Sequence, residues 1–444
     1  MDNNHGGRSN YSTLTAKGML DYIIGKSFEK YPLTTLINTD MSSAFDTVDV
    51  CTLIRKLQYY SVSQRTLELL TSLLSYRTSY IELEGFSSDA LTLPLSSVMQ
   101  GSKLSGILFL IYINEVPLLH ELLEEPELVR KMIGKNYKPK KEVSLETVNF
   151  VDDSGSVLGF EDEDVAKEYI EVFMEILTEY YNINKLVINK EKTAILVFAW
   201  KSSKVQSADL VINVDSETEP IKPVEQHKIL GWVMNSRMTP DSYLHLTIQM
   251  AHMKLSQMKQ FLKYMTIESR QKVLKANILS IFQYGMAQYI GENDWIKKKF
   301  HTSVMKICRT VRGFKKNRES NEEVLKDLNL ETPEQMIRKD SAKFMQKIVY
   351  SKKPRLMNQL IKMPTWQEKG DLLPKYFPRK TKFKRNMINM SIKTYNSLDG
   401  NIRILKPKRF KKELKKWILF EIPQNPQEST RKAIRKKPEK CERK

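Results

Sequence analysis

The sequence predicts an α+β chain, with an antiparallel sheet backed by helices and then a region that is helical throughout. Three observations predict it. The apolar run Val148-Asn149-Phe150-Val151 turns at the adjacent acids Asp152 and Asp153 and resumes through Ser154-Gly155-Ser156-Val157. That is the pattern of a strand-turn-strand hairpin with carboxylates at its tip. A second strand-like run, Thr34-Thr35-Leu36-Ile37-Asn38-Thr39, ends on Asp40. From Pro240 onward the apolar residues recur at helical spacing, with Met250, Met253 and Met258 in stripes that suit packing.

The elements follow in order. Ala16 to Phe28 has helical spacing through Leu20, Ile23 and Ile24 and precedes the Asp40 strand. Val50 to Tyr60 and Gln64 to Leu74 are amphipathic, with Leu53, Ile54 and Leu57 on one stripe and Leu67, Leu70 and Leu74 on the other. Tyr80 to Leu83 and Ala90 to Leu95 run apolar between Gly and Ser, as a hairpin does. A polar, Gly-containing loop from Ser96 to Ser102 leads into an apolar helix that reaches Asn114. Asp164 to Tyr181 reads as a long helix through Val165, Tyr169, Val172, Phe173 and Ile176, after which Leu186 to Phe198 and Lys228 to Met234 return to strands.

The acids carry the chemistry. Taken singly, Asp152-Asp153 before Ser-Gly is ordinary turn composition, and Asp40 is a suitable helix cap. Taken together, two strands that deliver three carboxylates to one place meet the requirement of metal-ion nucleotidyl transfer. Mg²⁺ takes hard oxygen ligands, and two such ions roughly 3.5–4 Å apart stabilise the attacking and leaving oxygens of an in-line displacement at phosphorus.

The order and company of the motifs decide between these readings. Leu36-Ile37-Asn38-Thr39-Asp40-Met41-Ser42-Ser43-Ala44-Phe45-Asp46-Thr47-Val48 resembles the first catalytic motif of reverse transcriptases, Asp-x-x-x-Ala-Phe-Asp-x-Val, in the form found in non-LTR retrotransposons with jockey-like features. Gln100-Gly101-Ser102 with Leu108-Phe109-x-x-Tyr112-Ile113-Asn114 resembles that family's Pro-Gln-Gly-Ser loop and helix. Phe150-Val151-Asp152-Asp153 resembles its Asp-Asp hairpin, Leu186-x-x-Asn189-x-x-Lys192-Thr193 its Leu-x-x-Asn-x-x-Lys-Thr block, and His227-Lys228-Ile229-Leu230-Gly231 its primer-grip strand. Looser likeness continues through Tyr284-Gly285, Arg309 to Gly313, Tyr395 to Leu398 and Phe410 to Lys415.

The resemblance implies a right-hand polymerase palm with partial fingers, followed by a helical thumb and a helical basic C-terminal region. It implies RNA-directed DNA polymerase activity with two Mg²⁺ ions, Mn²⁺ serving as a substitute. The partners it implies are an RNA template, a DNA primer or target, and deoxynucleoside triphosphates, with no membrane. Asp40, Asp152 and Asp153 would be metal ligands. Lys192 would be the acid that protonates pyrophosphate, or else a surface lysine that neutralises Glu191. Phe45 would be the gate that excludes a 2′-hydroxyl, or else an anchor for its helix. Gln100, Gly101 and Arg8 would contact the substrate, and Leu230 and Gly231 would place the primer terminus.

The sequence departs from the family at its N-terminus. His5-Gly6-Gly7-Arg8-x-x-x-Ser12-Thr13 resembles Gly-Phe-Arg-x-x-x-Ser-Thr with Gly7 in place of Phe, and it begins almost at residue 1, without the bulk of the fingers. Met99 stands for the usual Pro, Ser105-Gly106 stands for Gly-Pro, and Glu115 to Glu146 is a long, charged connection. The chain reads as an N-terminally truncated element. Two other readings stay open: a nucleic-acid-binding remnant without catalysis, and an RNA-directed RNA polymerase, against which Phe45 and Phe-Val-Asp-Asp argue.

Domain expectations are a residual fingers segment at 1–32, a palm at 33–235, a thumb at 236–330, a basic helical region at 331–422 and a disordered basic tail at 423–444. The net charge is +20, and residues 371–444 carry 23 Lys and Arg against 7 Asp and Glu, so 16 of those charges lie there. Such clusters supply salt-sensitive affinity for phosphate backbones. Cys51, Cys308 and Cys441 are far apart, which fits a reducing compartment rather than a disulfide framework. With no leader-like apolar start and a longest apolar run near Ile107 to Ile113, the expected location is intracellular, nuclear or cytoplasmic, and not secreted.

Overall fold

A computed structural model describes residues 3–93, 96–138, 143–199, 212, 220–292, 294–313, 319–360 and 387–421. The chain divides into two compact units, Met1–Thr239 with Pro354–Leu356, and Pro240–Lys353 with Met357–Lys444. The first is α+β, and the described part of the second is helical.

The first unit is organised by β1 (Leu33–Thr39), buried at every position. A run with no exposed face belongs inside a sheet, and β1 lies there between β7 (Asp153–Phe160) and β8 (Ala194–Ala199), with β6 (Ser144–Phe150) beyond β7. All three pairings are antiparallel. Helix α1 (Thr13–Lys30) packs on this sheet, opened by a capping box in which Ser12 and Thr15 satisfy each other's backbone amides. Helices α2 (Val50–Tyr59), α3 (Gln64–Leu74), α4 (Lys103–Tyr112), α5 (Pro126–Ile133) and α6 (Glu163–Ile183) contribute to the core, where Leu53, Leu70, Phe109, Val129 and Phe173 meet. Each of α2, α3, α4 and α6 begins at a polar cap, respectively Asp49, Ser63, Ser102 and Asp162.

Four expectations change on the fold. Lys228 to Met234 is a hairpin rather than one strand: β9 (Gln226–Ile229) and β10 (Trp232–Asn235) are joined by Leu230 and Gly231, whose φ values of 51° and 84° reverse the chain. Of Leu186 to Phe198 only the last part is strand, because Asn189 folds a turn in which its side chain accepts from the Lys192 amide at 3.2 Å. The expected hairpin at 80–95 is one exposed arm, with β2 (Thr78–Ser79) on β5 (Leu91–Thr92) and β3 (Glu82–Leu83) on β4 (Phe86–Ser87); residues 94–95 lie outside the described residues. Finally, α4 runs into a 3₁₀ helix at Val116–Glu124, and Lys103–Glu124 is by length and composition long and apolar enough to cross a membrane, with an 18-residue window of mean hydropathy 1.5. Its Leu108, Phe109, Tyr112, Val116, Leu119 and Leu123 are instead buried in the core.

In the second unit Tyr289 stacks on Phe300 while Phe282 stands edge-on to it, and buried Arg312 is held by Glu319 and Asp327. Helix Pro407–Glu421 buries Phe410, Leu414 and Ile418 and exposes Lys408, Arg409, Lys411, Lys412, Lys415 and Lys416, a basic outer face. The tail 423–444 and the basic stretch 371–386 lie outside the described residues.

Candidate active site

Sheet register assembles the acids. The ladder between β1 and β7 ends at Thr39 opposite Ser154, so the next step along it sets Asp40 beside Asp153. Neighbouring antiparallel strands are about 4.8 Å apart, which puts these carboxylates within reach of each other. On the other side of the tip Phe150 pairs with Asp153, leaving Val151 and Asp152 as a two-residue connection. Val151 has φ +60°, a left-handed conformation that β-branched residues seldom adopt.

The two half-buried acids of the hairpin hold their protons more tightly than free carboxylates do. Burial, then the charges of Asp152 and Asp40, push the Asp153 carboxyl up to about 6. Asp152 is raised chiefly by burial and further by Asp40, against its own backbone amide and Lys192. Exposed Lys192 answers this charge: its Nζ lies 3.0 Å from Asp40 Oδ2, and that contact raises its pKa. The Asn189 amide donates to the Asp40 carbonyl at 2.8 Å, so the Lys192 turn is fastened to the end of β1. Three mutually repelling hard-oxygen donors match a divalent cation in charge and ligand type. Among the described residues no three Asp, Glu, His or Cys side chains converge as a ready-made metal site.

Phe45 and the Gln-Gly loop are joined. The Val98 amide donates to the Phe45 carbonyl at 2.9 Å and the Ser97 amide to that of Val48 at 2.8 Å. The Phe45 ring stacks on Phe109 of α4 with centroids 4.9 Å apart, so it is both partly packed and partly open. Gln100 and Gly101 are exposed; Gly101 has φ +90°, and a Cβ there would meet no atom within 4 Å. The glycine serves the turn and leaves open space in front of it.

On β9, His227 Nε2 lies 3.4 Å from Asn38 Nδ2, which fastens the β9–β10 hairpin to the strand that leads to Asp40. Burial lowers the His227 pKa. Leu230 and Gly231 occupy the turn of that hairpin. Arg8, matched to substrate binding by motif, sits over the Tyr11 ring at 4.0 Å and donates to the Asn4 carbonyl at 3.0 Å. It is engaged within the N-terminal segment.

Two contributors carry no signal in the sequence. Arg77 donates to the Ser96 and Ser97 carbonyls and to Ser97 Oγ, at 3.1, 2.8 and 2.7 Å, and so clamps the base of the Gln-Gly loop. Asn38 reads only as part of a strand. Neither stands in a pattern that marks its partner, since the Asn38 to His227 contact spans 189 residues.

Among solved structures the chain is similar to apo telomerase from Candida tropicalis (11% identity, 78% of this chain and 56% of that one, TM-score 0.36). It is also similar to the same telomerase in complex with a fragment of telomeric RNA (14% identity, 79% and 52%, TM-score 0.33). A third similar structure is the Candida albicans telomerase with such a fragment (13% identity, 77% and 52%, TM-score 0.27). The chain spans about half the length of these three chains, and 39% of an apo C. tropicalis telomerase chain lacking its C-terminal domain. No curated protein matches it. Residues 7–234 match the family described as reverse transcriptase (RNA-dependent DNA polymerase). That match covers just over half of the 444 residues and contains Asp40, Phe45, Gln100, Asp152, Asp153 and Lys192, and the chain belongs to the reverse transcriptase family.

Proposed function

We propose that this protein is the RNA-directed DNA polymerase of a non-LTR, jockey-like retrotransposon, acting inside the cell on an RNA template, a DNA primer and deoxynucleoside triphosphates. The observation that supports the reading is the β1–β7 register, which ends with Thr39 opposite Ser154, one residue short of Asp40 and Asp153, together with the Lys192 ion pair to Asp40. Asp40, Asp152 and Asp153 would hold two Mg²⁺ ions, which neutralise charge developing on the attacking and leaving oxygens. The chain's own residues orient the reactants. Phe45, braced on Phe109, faces the sugar; Gln100 and Gly101 present an open backbone to the nucleotide; the Leu230-Gly231 turn, fastened through His227 to Asn38, holds the primer end. Lys192 stays protonated against Asp40 and has a proton to give to leaving pyrophosphate.

The test is extension of a DNA primer on an RNA template by the full chain with Mg²⁺ or Mn²⁺. Asp152→Asn should lower turnover by about 100-fold or more, the scale of losing a metal ligand, with primer-template affinity retained. Extension by that variant at the wild-type rate would remove the hairpin from catalysis. A wild-type chain that binds but never extends would leave the binding-remnant reading, and a preference for ribonucleotides would favour RNA synthesis.

A further inference from the structure

The hairpin tip has a neighbour from the far N-terminus. The Asn149 amide donates to the Asn3 carbonyl and the His5 amide to the Asn149 carbonyl, each at 2.8 Å, so residues 3–5 form a short parallel edge on the last residues of β6. Immediately beyond, Gly6 meets Val151. A Cβ at Gly6 would lie 2.4 Å from Val151 Cγ2 and 2.6 Å from the Val151 backbone nitrogen. Backbone touches backbone here, and only glycine permits it.

The other side of this segment is anchored. His5 is 2% exposed, its Nδ1 is 2.9 Å from Thr15 Oγ1, and its ring stands edge-on to Tyr11. Thr15 belongs to the capping box that opens α1. Arg8 closes the segment by holding the Asn4 carbonyl and covering Tyr11, and the Gly6 amide donates to Asn4 Oδ1 at 3.2 Å. Asn3–Arg8 therefore runs as a strut from the start of α1 to the turn that carries Asp152. A β-branched residue at φ +60° needs outside support to stay there, because its own preference is elsewhere.

We propose that this strut sets the hairpin carrying Asp152 and Asp153, and that Gly6 is a positioning residue for the carboxylates. The inference rests on the reading of those acids as catalytic. It gives the Gly6-Gly7-Arg8 segment a mechanical role, in which Arg8 fixes the strut's shape and Gly6 lets it reach Val151.

The test uses the full chain and two readouts, primer extension and deuterium exchange. Gly6→Ala should lower turnover by about tenfold or more, since sub-ångström to ångström displacement of reacting groups has effects of this order. Primer-template affinity should stay within about twofold, because no contact with nucleic acid is removed. Exchange should accelerate at amides 148–156 and not in the β9–β10 hairpin. Adding Val151→Gly should restore only part of the turnover, because the Val151 nitrogen still meets the new methyl group. His5→Ala loosens the strut without inserting an atom into the hairpin, and it should give a smaller loss with the same exchange pattern; it serves where Gly6→Ala fails to fold. Wild-type turnover and exchange in both variants would overturn the proposal, as would a loss matched by deprotection across the whole chain. If the wild-type chain does not extend a primer, the polymerase reading fails, while exchange at 148–156 still decides the strut.

Discussion

Two hairpin turns flank the candidate site, and they are built in opposite ways. Leu230-Gly231 joins β9 to β10 with both central residues at positive φ, the second of them a glycine, as a two-residue hairpin with this twist favours. Val151-Asp152 joins β6 to β7 with Val151 at φ +60° and no glycine of its own. Its glycine is Gly6, which comes from the N-terminal strut and gives up a side chain so that the strut can reach the turn. The first turn carries its own glycine, and the second takes its glycine from a distant segment. Strained backbone of this kind costs of order 1–3 kcal/mol and persists where the surroundings over-determine it, which here is the turn that presents two acids.

The largest expected effect breaks the turn that carries its own glycine. Gly231→Val places a β-branched residue at φ 84°, and should destabilise the first unit by about 2 kcal/mol. Urea denaturation measures it, read as a shift of midpoint at constant slope. A change below about 0.5 kcal/mol would mean that this turn does not depend on its glycine, and the contrast between the turns would disappear.

How much is legible in the sequence follows the same division. Asp40, Asp152, Asp153 and Lys192 can be grouped because carboxylates of this kind recur in a fixed order along the chain, and the structure sets them on adjoining elements. The α+β class, the buried leucines of α2 and α3 and the described helices of the second unit are legible from periodicity, which is a local property. Lys228 to Met234 reads as one strand because Leu-Gly is a weaker turn signal than Asn-Gly, and Leu186 to Phe198 does so because a side-chain turn at Asn189 leaves the apolar pattern intact. Gly6 against Val151, Arg77 on the Gln-Gly loop and His227 on Asn38 are meetings of distant segments with no compositional mark.

The second effect separates the turns by pH. Burial holds the His5 pKa down at about 3, with Arg8 contributing. In the unfolded chain this imidazole takes a proton below about 6.5, whereas in the folded chain it stays neutral. The depressed histidine therefore leaves stability intact above pH 6.5 and erodes it as pH falls toward 3, by up to about 2 kcal/mol at pH 5. Urea midpoints for the wild-type chain should fall between pH 6.5 and 5, and the fall should be shallower in His5→Gln. Amides 148–156, corrected for intrinsic exchange rate, should lose protection in that range before those of β9 and β10. Parallel loss at both hairpins would show that the strut does not single out the acid-bearing turn.

The smallest effect concerns the repulsion that the strained turn sustains. Asp153 is raised to about 6 by burial and by the charges of Asp152 and Asp40. The folded chain thus binds a proton at Asp153 between pH 6 and the ordinary carboxylate value near 4, where the unfolded chain has already released it. Stability is therefore highest below about pH 4 as far as this group is concerned, and it is lost as pH rises through 6. Asp153→Asn removes the charge and keeps the shape, so in metal-free buffer at pH 7.5 it should stabilise the chain by about 1 kcal/mol, a figure discounted for partial exposure. The gain should shrink as pH falls from 6 to 4, and saturating Mg²⁺ should reverse it at pH 7.5, because the wild-type acids then gain a counter-charge that the variant lacks. Equal stability of the two proteins at every pH would mean that Asp153 feels neither neighbour, and the tip would then be an ordinary solvated turn.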